Sequence, residues 1–204
     1  MTINEILEKR KSIHSFTDEV ISNEQIEEII EAGRKAPFAG LAQAGVSKFR
    51  HFFVIRRGSE IAEKIMDLVA AVRGEDAAAI DEAMMAKYPV FCNVAKGNVG
   101  KRPMDLFMAP VLVIAAERAG MPAREEVALG YVMSNMWMKA TDMGIGMKLC
   151  SGVADVRDTK ALQALLGLPT EEDFAFDGCN LGIAAEELYR EGARPVPEKS
   201  VTYL

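Results

Sequence analysis

The sequence predicts an α+β protein with one sheet, many helices and a single domain. Two stretches indicate the sheet: Phe49–Ile55 is rich in aromatic and β-branched residues, and Ala109–Ala116 is a continuous apolar run, typical of a strand buried on both faces. Helix-start signals at Thr2 and Ser22 precede apolar residues at helical spacing. Because 204 residues suffice for one sizeable domain and not comfortably for two, we expect residues 1–204 to form one unit.

The first part of the chain should contain two capped helices. They begin near Thr2 and at Ser22, and the residues three positions later, Glu5 and Gln25, complete a capping box in each case. The second helix must end immediately before Pro37, because a proline disfavours helical geometry in the residue that precedes it.

The middle of the chain is predicted to be the least regular part. Two helices are expected near Glu60–Val72 and Asp76–Lys87, followed by an irregular stretch from Pro89 to Pro103.

The segment Arg124–Met143 is predicted to be a buried helix that ends at a glycine turn beginning with Gly144. Its apolar tract contains Asn135, Lys139 and Asp142, which argues against a membrane span. A helix that is apolar on nearly every face must be covered on every side. A domain of this size covers such a helix with difficulty, so we expect a partner subunit to contribute.

Three further elements complete the prediction. A helix near Val156–Leu166 should end at Gly167, and a strand over Phe174–Ala184 should be interrupted by Gly178. Residues 200–204 have the composition of a strand at the end of the chain. Such a strand needs a sheet edge, which another protomer could supply.

Composition excludes several classes of function. The net charge of -6 argues against general affinity for nucleic acid or for anionic membranes. The N-terminus lacks the basic and apolar regions of a signal peptide, and three widely spaced cysteines are expected to be free thiols, so the predicted location is cytoplasmic. The two histidines stand outside any metal-ligand spacing, so we expect no metal site.

A basic loop is the strongest candidate site. It follows the first predicted helix and consists of Arg10, Lys11, Ser12, Ile13, His14, Ser15 and Phe16. Its cations and hydroxyls suit a phosphomonoester, since arginine offers a bidentate fork and serine a short hydrogen bond. Basic residues that complement the C-terminal dipole of a helix explain the same pattern, and the residues alone favour this explanation. No nucleophile-and-base set is recognisable, so no side chain is assigned as catalytic.

The basic loop, the capped helix and Ala36-Pro37 together resemble the opening of the FMN-dependent nitroreductase family. The resemblance continues in the long core helix with its glycine turn, in Asn180-Leu181-Gly182-Ile183, and in the terminal stretch from Arg194 to Val201. It fails mainly between about residues 58 and 103. Several motifs in the correct order are more specific than any one of them.

The resemblance implies a three-layer sandwich with a central, mostly antiparallel sheet flanked by helices. It also implies an intertwined homodimer with an exchanged C-terminal strand and two FMN sites at the subunit interface. NADH or NADPH would reduce the flavin, which would then reduce an organic acceptor such as a nitroaromatic, a quinone or a flavin.

Site residues follow from the resemblance by position. The phosphate and ribityl end of FMN would contact Arg10, Lys11 and Ser12, with Arg194 as a further phosphate cation. Gly192 stands where some relatives carry a second phosphate-binding lysine. The residues expected around the flavin ring are His14 near the pyrimidine edge, Pro37, Phe38 and Ala39 from the other subunit, and the backbone of Ser151 and Gly152 at the hydride-accepting nitrogen.

Two departures from the family pattern leave alternatives open. Phe38, Ala39 and Leu41 replace polar residues of the family, and bulk at this segment would suit a flavin-binding or regulatory protein that turns over no small substrate. A structural dimer without a cofactor is the third possibility. His14 replaces a basic residue that is always charged, and free imidazole titrates near about pH 6.5, so flavin reduction is expected to depend on pH through His14.

Overall fold

A computed structural model describes residues 1–38, 48–192 and 202. Its α-helices in this part of the chain are α1 (Ile3–Lys9), α2 (Asn23–Arg34), α3 (Glu60–Ala78), α4 (Glu82–Lys87), α5 (Pro89–Gly97), α6 (Glu125–Asp142) and α7 (Thr159–Leu166). Its strands are β1 (Arg50–Arg56), β2 (Val111–Arg118), β3 (Gly146–Leu149) and β4 (Phe174–Gly182). Short 3-10 turns cover Met104–Phe107 and Ser151–Val153.

The four strands form one sheet in the order β1-β2-β4-β3, and every neighbouring pair is antiparallel. One core cluster joins a face of the sheet to α3 and α7, and a second joins the opposite face to α2 and α6. The described chain therefore has the three layers and the antiparallel sheet that were predicted.

Strand β2 shows why the sheet lies at the centre. Val111 and Val113 belong to the cluster with α2 and α6, whereas Leu112 and Ile114 belong to the cluster with α3 and α7. Successive side chains of a strand point to opposite faces, so a continuous apolar run fills both cores at once.

Both predicted capping boxes are present. The Glu5 amide donates to Thr2 Oγ1 (3.3 Å), and the Thr2 amide donates to Glu5 Oε2 (2.7 Å). Ser22 and Gln25 make the same reciprocal pair at the start of α2. Helix α2 ends at Arg34, two residues before the predicted end.

The prediction for the middle block was wrong at two places. Helix α3 continues through Gly74 to Ala78, where the sequence indicated an end at Val72. Pro89 begins α5, where an irregular stretch was expected. A proline at the first turn of a helix costs no hydrogen bond, and its fixed φ suits helical geometry.

The predicted interruption of β4 at Gly178 was also wrong. Gly178 lies in a continuous strand and pairs with Ile114. A Cβ at this position would lie 3.3 Å from both Val113 O and Val153 Cγ2, so the glycine permits close packing rather than a break. The strand itself ends at Gly182, and Ala184 forms an isolated bridge with Phe16.

Helix α6 is covered on one side only. Its buried residues include Val132 and Met136, whereas Val127 and Tyr131 are 53% and 51% exposed. No helix of the described chain combines the length and the apolar composition that a membrane crossing requires. The predicted strand at 200–204 lies outside the described residues, apart from Thr202.

Candidate functional site

The basic loop lies against the end of the sheet where β3 begins and β4 ends. The Ile13 amide donates to Met147 O (3.2 Å), and the Thr17 amide donates to Ile183 O (2.9 Å). Hydrogen bonds from both sides therefore attach the loop to the outer strand β3 and to the segment that follows β4.

The Phe16 ring of the basic loop packs against two glycines. Gly146 and Gly182 face each other in the β3–β4 register. A Cβ at Gly146 would lie 3.1 Å from Phe16 Cε1, and one at Gly182 would lie 3.2 Å from Phe16 Cδ1. Because both positions are glycine, the Phe16 ring can approach the backbone closely. This contact anchors the basic loop to the sheet.

The loop already binds an anion, the carboxylate of Glu186. Glu186 Oε1 accepts from the amides of His14 (2.5 Å) and Ser15 (3.0 Å), and Oε2 accepts from Lys11 Nζ (3.0 Å). Lys11 also donates to Glu187 O (2.9 Å). The amide of His14 and then the Lys11 ammonium hold the pKa of the Glu186 carboxyl below its usual value.

Arg10 is oriented by the aromatic ring of Trp137. Its guanidinium lies 4.1 Å from the centre of the Trp137 ring on α6, and its amide donates to Ile6 O (2.9 Å) at the end of α1. A guanidinium is planar, and its contact with the ring restricts the direction of the N–H groups that recognise phosphate oxygens. Ser12 lies half-buried in the same loop.

The second predicted contact region lies at the other end of β3. Ser151 and Gly152 begin the 3-10 turn that follows this strand. Ser151 stands four positions after Met147, which corresponds to roughly 13 Å along a strand. The structure therefore brings the basic loop and the Ser151–Gly152 turn to one edge strand.

An ion pair borders this turn. Arg73 donates to both carboxylate oxygens of Asp105 (2.8 and 2.6 Å). The hydrogen bond from Arg73 lowers the pKa of Asp105, and the same bond raises the pKa of Arg73. A Cβ at Gly152 would lie 3.6 Å from Arg73 Nη2, so the guanidinium packs against the turn.

Lys148 is the residue that sequence reasoning missed. It lies on β3 between the two contact regions, half-buried, and its Nζ is 3.0 Å from Met108 Sδ. The sequence indicated only a glycine turn at this place. The signal that could have identified the strand is the apolar and polar alternation of Met147, Lys148 and Leu149 after the second glycine.

The predicted ring-face residues Pro37 and Phe38 lie away from the basic loop. Arg50, at the start of β1, donates to Ala36 O (2.9 Å) and Pro37 O (3.1 Å). Strands β1 and β3 are the two outer strands of the sheet, about 14 Å apart at usual strand spacing. One chain therefore does not bring these residues to its own basic loop. The other two predicted residues, Ala39 and Arg194, lie outside the described residues.

The described residues contain no group of three or more histidine, cysteine, aspartate or glutamate side chains that could hold a metal ion.

The Nitroreductase family model matches residues 7–183. The chain belongs to the nitroreductase family. The matched residues include the basic loop, the edge strand β3 and the turn that follows it, whereas Glu186 and Arg194 lie beyond them. No curated protein has a sequence that matches the chain.

Solved structures of nitroreductase-fold proteins superpose on nearly the whole chain. A nitroreductase with bound FMN from Desulfitobacterium hafniense DCB-2 is 19% identical, with 98% of this chain and 97% of that chain covered and a TM-score of 0.67. A mutant of an FMN and NADPH-dependent nitroreductase from Sphigopyxis sp. strain HMH is 19% identical, with coverage of 96% and 95% and a TM-score of 0.63. Iodotyrosine deiodinase bound to FMN and 3-iodo-L-tyrosine is 15% identical, with coverage of 98% and 97% and a TM-score of 0.67. At these identities the likeness establishes the fold.

Proposed function

We propose that this nitroreductase-family chain is an FMN-dependent oxidoreductase that takes electrons from NADH or NADPH and passes them to an organic acceptor. The observation that carries the proposal is the occupied anion site of the basic loop, where two amides and Lys11 bind the carboxylate of Glu186. These contacts order the loop, and Arg10 and Ser12 beside them are a guanidinium and a hydroxyl, the group types that bind a phosphate.

The residues present fit FMN. Arg10 and Ser12 would hold the phosphate, with Lys11 shared between the phosphate and Glu186, and Arg194 would add a further cation. The backbone of the Ser151–Gly152 turn would face the ring nitrogen that accepts hydride. When bound, the flavin supplies the redox chemistry, and the protein groups position it and adjust its electronic properties.

We propose the chemical class of the electron acceptor. The related structures include nitroreductases and a deiodinase with bound 3-iodo-L-tyrosine, so the fold serves acceptors of different chemistry. A nitroaromatic, a quinone and a free flavin are the acceptors that we propose for this chain.

The proposed active form is a homodimer. The exposed Val127 and Tyr131 on α6 provide an apolar surface for a second copy. Pro37 and Phe38, at the opposite edge of the sheet from the basic loop, would then reach the flavin of the partner subunit. Size-exclusion chromatography with light scattering tests this part, and a monomer that binds FMN would contradict it.

A titration of the FMN-free protein tests the central proposal. Trp137 is the only tryptophan of the chain and contacts Arg10, so its fluorescence should fall as FMN binds. An Arg10→Met variant should bind FMN at least about tenfold more weakly, since a hydrogen bond to a charged group contributes about 1.5–3 kcal/mol. An Arg157→Met variant removes an exposed arginine that pairs with Glu75 rather than with the basic loop, and serves as the control.

Anaerobic addition of NADH and then NADPH distinguishes the possible functions. Loss of the yellow colour supports the oxidoreductase, and yellow protein that neither donor bleaches indicates a flavin-binding or regulatory protein. Protein that stays colourless and shows no change in Trp137 fluorescence with FMN contradicts the proposal and favours a structural dimer.

A His14→Gln variant tests the predicted pH dependence, because retention of the wild-type pH profile of flavin reduction would exclude a role for His14.

A further inference from the structure

Among residues 1–38, 48–192 and 202, the half-buried Lys148 ammonium has one side-chain hydrogen-bond partner, a neutral sulfur. Its Nζ lies 3.0 Å from Met108 Sδ, and within the described chain no carboxylate lies within 4.0 Å of it. A lysine ammonium has three donors, and a thioether is a weak acceptor. A partly buried charge with so little compensation favours an anionic ligand at this place.

The neighbouring carboxylate of Asp105 attracts Lys148 electrostatically, but its hydrogen-bond partner is Arg73. Both of its oxygens accept from Arg73, at 2.8 and 2.6 Å. Cys150, whose Sγ lies 3.8 Å from Leu106 O, and the Met108 sulfur lie on the same face. Arg73, Asp105 and Lys148 together carry one net positive charge, and the carboxyl groups of Asp155 and Asp177 also act on this cluster, through Arg73 and Cys150 respectively.

Strand geometry places Lys148 along the path of the cofactor. It follows Met147, whose carbonyl accepts from the basic loop, and it precedes Ser151 by three residues. A flavin that contacts both ends of β3 must pass beside Lys148. Strand alternation directs this side chain to the same face as Cys150, towards the segment Leu106–Met108, and away from the core that contains Met147.

We propose that Lys148 is a flavin-tuning residue, which places a permanent positive charge beside the ring and stabilises the anionic reduced flavin relative to the oxidised form. This inference rests on the proposed FMN binding. A fixed charge beside developing negative charge favours the reduced state in a site from which water is partly excluded.

The test is the midpoint potential of bound FMN in Lys148→Met, measured by equilibration with a reference dye. We expect the preference for reduced over oxidised flavin to fall at least tenfold, which is about 30 mV for a two-electron couple. Lys148→Arg should keep the wild-type potential because it keeps the charge. Lys64→Met, which removes an exposed lysine paired with Glu60 on α3, controls for the change in net charge.

Three outcomes separate this inference from the proposed function. A lower potential in Lys148→Met, with wild-type values in Lys148→Arg and Lys64→Met, supports the role of Lys148. An unchanged potential in a Lys148→Met protein that still binds FMN overturns that role and leaves the proposed function intact. A wild-type protein that fails to bind FMN overturns the proposed function. If Lys148→Met does not fold, Lys148→Gln removes the charge and keeps a polar side chain for the same measurement.

Discussion

Arg50 and Glu117 form an ion pair in the interior of the protein. Arg50 Nε lies 2.6 Å from Glu117 Oε2, and the two side chains are 5% and 1% exposed. The same guanidinium donates to the carbonyl oxygens of Gly33, Ala36 and Pro37. One buried arginine thus joins the sheet to the end of α2 and fixes where the Pro37–Phe38 segment begins.

Arg50→Met should destabilise the protein by about 3–5 kcal/mol, because it leaves the Glu117 carboxylate buried without its partner. Urea unfolding of the FMN-free protein measures the loss. Lys64→Met breaks an exposed pair within α3 and should cost about 0.5 kcal/mol or less. A loss below about 1 kcal/mol in Arg50→Met would show that the buried pair contributes little.

Gly146→Ala should displace the Phe16 ring and with it the basic loop. The added methyl would lie 3.1 Å from both Phe16 Cε1 and Gly182 O, and crowding of this kind costs about 1–3 kcal/mol. We expect weaker FMN binding together with lower stability. The same substitution at Gly74, inside α3 with nothing within 4 Å of the new Cβ, should instead stabilise the protein by about 0.5–1 kcal/mol. Wild-type FMN affinity in Gly146→Ala would contradict the proposal that the contact of Phe16 with Gly146 positions the basic loop.

Glu186→Gln should loosen the basic loop and remove a pH dependence. The pKa of Glu186 is below its ordinary value of 4.5, so its contacts stabilise the protein above pH 4.5 and are lost as the pH falls through the lowered pKa. Hydrogen exchange of the His14 and Ser15 amides should quicken by about tenfold or more in the variant, in line with the strength of hydrogen bonds to a charged group. Unchanged exchange at neutral pH would mean that other contacts order the loop.

The three cysteines should not react with thiol reagents in the native protein. Cys92, Cys150 and Cys179 are all buried, and desolvation raises the pKa of Cys150 to about 12. At pH 8 the labelling of folded protein should therefore be negligible, whereas three thiols should react in guanidinium chloride. Rapid labelling of one thiol, assigned with Cys150→Ser and Cys92→Ser variants, would reveal local opening at that position.

Local sequence determined the features that depend on residues a few positions apart. The two capping boxes, the buried strand β2 and the glycine turn after α6 each need only a short pattern, and the structure has all three. The same local rules misjudged Gly74, Pro89 and Gly178, because neither residue type decides by itself whether an element ends. Pro89 begins a helix, Gly74 continues one, and only Gly178 is held in its strand by close packing against a neighbouring strand.

Only the tertiary structure decided which charged groups meet. Glu186 reaches the basic loop across 172 residues from His14, and Glu117 reaches Arg50 across 67. Lys148 became a candidate only when β3 was seen as the edge strand that joins the basic loop to the Ser151–Gly152 turn. These contacts depend on strand order and on the direction of each side chain. Both are set when the sheet and the two helical layers pack together, and not by the local sequence pattern.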